Sequence, residues 1–258
     1  MRRRLLISAL LTLAVLLGAG VARAELSQVG DLRISFDGGF TPRALPREKP
    51  ASVTVSVEGA ISTTDGTQPP PLRELEFALN RAGRISTAGL PECTSTLLQS
   101  TTSEAAMERC GPALVGHGSY SARLASSQTP VPVQGKILAF NGTQGGKPAL
   151  ILHLYGKVPV RATFVVPLKI SHRAKGRFGT VLSARIPILA GGVGSITAIK
   201  LKLGREYSDE GQRVGYISAS CAAPTGFTGA TFTFARGSFH FADGRVLHTP
   251  LVRNCRVR

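Results

Sequence analysis

Residues 136–170 read KILAFNGTQGGKPALILHLYGKVPVRATFVVPLKI, and this stretch decides the fold class. In Val160–Ile170 every second residue is apolar, which is the period of a strand with one buried face. Leu150–Leu154 repeats the pattern, and Ile137–Phe140 forms a third apolar run. Between the runs, Asn141-Gly142 and Gly145-Gly146 supply residues that tolerate positive φ. The stretch therefore predicts an antiparallel meander.

Strand-like runs recur along the rest of the chain. They are Leu32–Phe36, Val53–Val57, Leu75–Leu79, Ala113–Ala125, Val181–Ile186 and Ile196–Leu203. A tandem repeat at residues 231–244, TFTFARG then SFHFADG, predicts two more short strands, each followed by a glycine turn. Its four aromatic residues should lie in the core: Phe232, Phe234, Phe239 and Phe241. We expect a single all-β domain over residues 25–258 with roughly ten to twelve strands, arranged as an antiparallel β-sandwich. A closed β-barrel is the alternative.

The segment between Cys93 and Cys110 departs from the strand pattern. Thr101 and Glu104 have the spacing of a capping box, and the alanines that follow favour a helix. The glycine and proline after Cys110 end it. We predict one short helix, Thr102–Arg109.

The first 24 residues have the pattern of an export signal. Arg2–Arg4 form a positive n-region, Leu5–Leu17 is an apolar h-region, and Ala22-Arg23-Ala24 has the small-x-small pattern cleaved before Glu25. An uncleaved anchor is the alternative, but the h-region is shorter than the ~20 apolar residues that span a bilayer. No cysteine follows the cleavage site, so no lipid anchor is indicated. We expect a secreted or extracytoplasmic protein without an integral membrane segment.

Four cysteines lie in the exported part: Cys93, Cys110, Cys221 and Cys255. Compartments outside the cytoplasm favour disulfides, and four cysteines allow three pairings. We expect Cys93–Cys110 and Cys221–Cys255, because each closes a modest loop and contributes roughly 3–4 kcal/mol on the loop-entropy model. No C-x2-C spacing points to zinc.

The chain is strongly basic, with a formal net charge of +16 that falls to +12 without the four arginines of the leader. A basic surface attracts polyanions such as nucleic acid, anionic envelope polymers or acidic lipid headgroups. The alternative is that the charge serves only solubility.

After the meander, His172, Arg173, Lys175 and Arg177 fall within six positions. A glycine-containing loop with convergent donors can hold phosphate, sulfate or carboxylate, so this loop is the candidate anion-binding site. It lacks the interleaved aromatics of a platform for single-stranded nucleic acid. A solvated loop is the alternative.

No set of residues indicates catalysis, a metal or a cofactor. Glu74 and Glu76 are close carboxylates, which glycoside hydrolysis requires, but they lie two residues apart on the face opposite Leu75 and Leu79. We expect them to be solvated. The five histidines have no H-x-H or H-E-x-x-H spacing, and no serine stands in a nucleophile elbow.

Four segments and the basic C-terminus resemble a group of exported, uncharacterised proteins of high-GC actinobacteria. The segments are FDGGFTP (Phe36–Pro42), LEFALNR (Leu75–Arg81), CGPALVG (Cys110–Gly116) and ARGSFHFADGR (Ala235–Arg245). The resemblance covers most of the exported part. It implies export and a bacterial source, and no activity, cofactor or catalytic residue.

These observations favour a non-enzymatic exported module that binds an anionic partner at the cell envelope, such as an anionic polymer. A secreted polysaccharide hydrolase using acids such as Asp37, Glu74 and Glu76 is one alternative. A structural subunit that associates through a sheet edge is another. The sequence leaves the oligomeric state open.

Overall fold

A computed structural model describes residues 24–125, 129–158 and 161–258. Residues 1–23 of the predicted leader lie outside these ranges. Val160, in the third predicted strand of the meander, also lies outside them. The described strands are β1 (Glu25–Val29), β2 (Leu32–Thr41), β3 (Ala44–Leu45), β4 (Ala51–Ser52), β5 (Thr54–Thr63), β6 (Leu72–Asn80), β7 (Gly83–Ile85), β8 (Cys93–Thr94), β9 (Leu114–Leu124), β10 (Val131–Gln144), β11 (Lys147–Val158), β12 (Ala162–His172), β13 (Phe178–Arg185), β14 (Gly194–Leu203), β15 (Glu206–Asp209), β16 (Gln212–Gly215), β17 (Ile217–Ala219), β18 (Gly229–Phe241) and β19 (Val246–Val257). The described α-helices are α1 (Ser95–Leu98) and α2 (Ser103–Cys110), and two short 3-10 helices span Gly111–Ala113 and Leu189–Gly192.

Fourteen of these strands form one sheet that curls into a half-barrel, which confirms the all-β antiparallel prediction. The order is β1-β2-β5-β14-β9-β10-β11-β12-β13-β6-β18-β19-β3, and β8 pairs with β10. Two short pairings, β8 with β10 and β3 with β19, are parallel. Two small sheets accompany the main one, β15-β16 and β4-β17-β7.

The central meander forms as predicted, with longer strands. Ile137 of β10 lies opposite Leu154 of β11, which lies opposite Phe164 of β12. Residues directly opposite each other on neighbouring strands point to the same face of a sheet, so these three side chains all lie on the concave face. They belong to the main hydrophobic cluster, which lines the inside of the half-barrel.

Side chains, rather than a backbone ladder, join β1, at one end of the curled sheet, to β19, the last long strand at the other end. The Ser27 hydroxyl of β1 donates to the carbonyl of His248 in β19 at 2.9 Å. Arg253 of β19 forms a 2.7 Å ion pair with Glu25 and a second ion pair with Asp37 of β2. Its guanidinium also donates to the Gly38 carbonyl. We call this junction the seam.

The helices cover the convex face of the meander. Leu98 of α1 and Ala106 of α2 pack on Phe140 and Ile151, and the Cys93–Cys110 disulfide ties the two ends of this segment together with a Cα–Cα distance of 5.6 Å. The short disulfide-bound helix is therefore confirmed. Its cap differs by one residue from the prediction, because Thr102 rather than Thr101 accepts from a backbone N–H, at 3.2 Å.

The second predicted disulfide, Cys221–Cys255, is also present, with a Cα–Cα distance of 5.8 Å. It joins the end of β19 to the segment after β17. β17 belongs to the small sheet β4-β17-β7, whose Ile85 and Ile217 pack against the main hydrophobic cluster. This disulfide thus fixes the small sheet next to the C-terminal strand.

Three local predictions were wrong. Asn141-Gly142 is not a turn: Asn141 is buried in β10, and its amide donates to the Thr87 and Pro91 carbonyls. The tandem repeat is one continuous strand, β18, with no turn at Gly237, although three of its four phenylalanines are buried and Phe232 is partly so. The described residues also form nineteen strands rather than the roughly ten to twelve expected, because short edge and cap strands lack a clear alternation.

Candidate anion-binding surface

The predicted loop is the tip of the β12–β13 hairpin. β12 ends at His172 and β13 begins at Phe178, so Arg173, Lys175 and Arg177 all belong to the connection, and each is exposed. The backbone N–H of Arg173 donates to the Gly179 carbonyl at 2.8 Å, which closes the base of the loop. The structure therefore places the predicted cations together on an exposed, hydrogen-bonded turn.

Arg81 holds this loop from the neighbouring strand. It follows β6, and its backbone N–H donates to the Arg177 carbonyl at 2.9 Å. Its guanidinium donates through Nε to the Gly176 carbonyl at 2.9 Å and through Nη2 to the Arg173 carbonyl at 3.1 Å. A planar fork with several donors suits this double contact, so Arg81 orders the loop and adds a positive charge beside it.

The loop cations differ in what they contact. Arg173 pairs with Glu76 of β6 at 3.2 Å, and Arg177 donates to the Thr233 hydroxyl at 3.3 Å. Lys175 makes no ion pair with a described residue. Since exposed ion pairs contribute only ~0–1 kcal/mol, the Arg173–Glu76 pair can exchange for a competing anion at small cost.

Arg236 of β18 brings a fifth cation to the same place. Its guanidinium carbon lies 5.1 Å from the ring centroid of Phe178, a cation–π arrangement. Its Nε is buried and finds no hydrogen-bond acceptor within the described ranges. Because Phe178 directly follows Arg177, Arg236 lies beside the loop.

We call the resulting group the basic corner: Arg81, Arg173, Lys175, Arg177 and Arg236. Glu76 is the one carboxylate paired with the basic corner in the described chain, so the five cations and Glu76 together carry a net charge of +4. Guanidinium groups bind phosphate, sulfate and carboxylate oxygens through parallel N–H donors. His172 is exposed at the edge of the corner. The sequence predicted the loop but missed Arg81 and Arg236, which are distant along the chain; only the pairing of β6 with β13 and β18 brings them in.

A second concavity of about 450 Å³ lies on the convex face beside α2. Lys136 and Lys157 line it, and so does Glu104. The pKa of Glu104 is lowered by its own backbone N–H, by the Thr102 hydroxyl and by the two lysines. The negative charge of Glu104 opposes an incoming anion here, so the basic corner is the better anion site.

The acids considered for hydrolysis do not form a catalytic pair. Glu74 contacts Arg185 at 3.4 Å, Glu76 contacts Arg173, and Asp37 contacts Arg253 at the seam. Asp37 lies on β2, which does not pair with β6, the strand that holds the other two acids. Among the described residues, no group of three or more histidines, cysteines, aspartates and glutamates could hold a metal.

Comparisons with protein-family models, with curated proteins and with solved structures find no match to this chain. No helix in the described ranges has the length and apolar character needed to cross a bilayer. The two disulfides fit an oxidising compartment outside the cytoplasm.

Proposed function

We propose that this protein is an exported, non-enzymatic module that binds an anionic partner at the cell envelope through the basic corner. The observation that carries the proposal is the gathering of five cations at one exposed hairpin and the two strands beside it, with a single carboxylate paired among the described residues. The leader cut after Ala24 and the resemblance to exported actinobacterial proteins support the location. The partner is an anionic envelope polymer or another polyanion.

Order in the loop favours binding over mere solubility. Solubility needs no particular arrangement of charge, whereas the Arg81 guanidinium donates two hydrogen bonds that fix the Gly176 and Arg173 carbonyls of the loop. A loop ordered in advance loses less conformational entropy when it binds. Lys175, Arg173 and Arg177 then project into solvent from an ordered backbone.

The test is co-sedimentation of the oxidised protein with envelope material and with heparin as a defined polyanion, at ~50 and ~500 mM salt. One variant changes Arg173, Lys175 and Arg177 to alanine. The matched control removes the same charge elsewhere, at exposed Lys49, Lys202 and Arg256.

We expect binding that weakens steeply with salt, as screening and counterion release require. The loop variant should lose most of the binding, and the control variant should lose little. Equal losses in both variants would show that overall charge, not the corner, carries binding. Salt-indifferent association would instead favour an assembly subunit, and turnover of a polysaccharide would favour the hydrolase.

A further inference from the structure

The concave side of the half-barrel contains a partly open void of about 110 Å³. Strands from both walls line it, including β2 and β5 on one side and β6 and β18 on the other. Every described side chain that lines it is apolar, and the remaining position is a glycine. The void is thus separate from the polar surface on which the basic corner lies.

Several residues that point into this space are incompletely covered. Val57, Phe77, Leu79, Ile199 and Leu201 belong to the interior cluster, yet each is only partly buried. Residues of the same cluster deeper in the wall, such as Leu150 at 1% exposure, are fully enclosed. Since protein interiors normally reach crystal-like packing, uncovered inward-facing side chains mark a space that the chain itself does not fill.

Gly59 marks the same space from the wall of β5. It lies opposite Phe36 in the β2–β5 ladder. A Cβ at Gly59 would meet only one atom within 4 Å, Cδ2 of Phe36 at 3.8 Å, which is an ordinary contact. Many interior glycines of this sheet have no such room; at Gly118 a Cβ would lie 1.9 Å from the Lys200 carbonyl oxygen. The opening beside Gly59 is therefore a local feature.

The lining determines the chemistry of an occupant. With no polar side chain among the described lining residues, a polar ligand would lose its hydrogen bonds to water and gain none. Dry apolar voids of ~150 Å³ take up benzene or xenon. A cluster of Phe36, Phe77 and Phe239, with ring centroids 5.4 to 6.0 Å apart, forms one wall. This space accepts a few carbon atoms of hydrocarbon.

We propose that the interior of the half-barrel binds the end of an alkyl chain, from a free fatty acid or from a lipid. The site is independent of the proposed function, because it lies on the other face of the sheet. On β6, Phe77 and Leu79 face the void, while Glu76, which directly precedes Phe77, faces the basic corner. Substitutions at one site can therefore leave the other intact.

The test is calorimetric titration of the full, oxidised protein with 1-octanol, octanoate and acetate. Gly59→Leu fills the void from β5, and Gly59→Ala adds a single methyl group. Ser56→Leu, on the exposed face of the same strand, is the matched control. Xenon NMR provides a second readout of the empty void. Sedimentation with neutral phosphatidylcholine vesicles separates a membrane source of the chain from free octanoate.

We expect octanol and octanoate to bind and acetate not to. Gly59→Leu should weaken octanol binding by about tenfold or more and Gly59→Ala by about two- to threefold, while Ser56→Leu should bind as the unchanged protein does. Vesicle binding that Gly59→Leu abolishes assigns the chain to a membrane lipid, and octanoate binding alone assigns it to a free fatty acid.

The proposal is overturned if neither octanol nor xenon enters the unchanged protein, or if Gly59→Leu and Ser56→Leu bind octanol equally. If Gly59→Leu does not fold, Gly59→Ala decides the matter. Loss of polyanion binding with octanol binding retained would reject the basic corner and leave the interior site standing. Absence of octanol binding with polyanion binding retained would reject the interior site and leave the basic corner standing.

Discussion

Filling the void should stabilise the protein when no ligand is present. A void of about 110 Å³ costs about 2.6 kcal/mol at ~24 cal/mol per Å³. Replacing a strand glycine gains about 0.5–1 kcal/mol in backbone entropy, and ordering a leucine side chain costs a similar amount. Gly59→Leu should therefore raise the free energy of unfolding by up to about 2.5 kcal/mol, and Gly59→Ala by about 1 kcal/mol.

Urea denaturation with intact disulfides measures these changes, and calorimetry checks them. Each kcal/mol should move Tm by about 2–4 °C in a chain of this size. Ser56→Leu should stay within ~0.5 kcal/mol of the unchanged protein. A loss of more than ~1 kcal/mol in Gly59→Leu, with an unchanged denaturant slope, would mean that leucine overpacks the interior and that the reasoning about free space fails.

Four further changes test other parts of the molecule. Arg81→Lys keeps the charge but loses the double contact to the loop, so heparin affinity should fall a few-fold on titration. Unchanged affinity would show that Arg81 does not position the loop for binding. Burial lowers the pKa of His153, so the free energy of unfolding should stay level above pH ~6.5. It should decline as the pH falls below that value, where the unfolded chain takes up the proton. His153→Gln should abolish that decline. Tyr216→Phe removes a buried hydroxyl that has no partner in the described chain, and should leave stability in urea unchanged or raise it by about 1 kcal/mol. Changing Cys93 and Cys110 to alanine should cost about 3 kcal/mol and raise hydrogen exchange in α2 before the main sheet.

Alternation along the sequence was enough to predict the fold class and the central meander. The two disulfides also followed from sequence, because close spacing favours pairing within each half. The alternation in Val181–Ile186 and Ile196–Leu203 located β13 and β14, but it could not reveal that β14 pairs with β5 and β9 rather than with β13. Strand order depends on contacts between distant residues, which a local pattern does not contain.

The same limit applies to the candidate sites. The β12–β13 loop was visible as a cluster of cations in one stretch of sequence. Arg81 and Arg236 join it through strand pairing across the sheet. The interior void left no trace in the sequence, because its lining has the same apolar alternation as a filled core. Asn141-Gly142 misled for a related reason: a turn-forming pair can lie inside a strand when tertiary hydrogen bonds satisfy the asparagine.

The seam has a consequence for the order in which the molecule is completed. Glu25 leaves the ribosome among the first residues, and Arg253 among the last. Their ion pair of 2.7 Å can form only after almost the whole chain has been made. Until then the side chains of β19 do not cover the outer edge of β1, and an uncovered strand edge can recruit other strands. The outer edge of β1 is thus covered only once β19 has been made. A chain truncated before β19 should leave that edge open to aggregation.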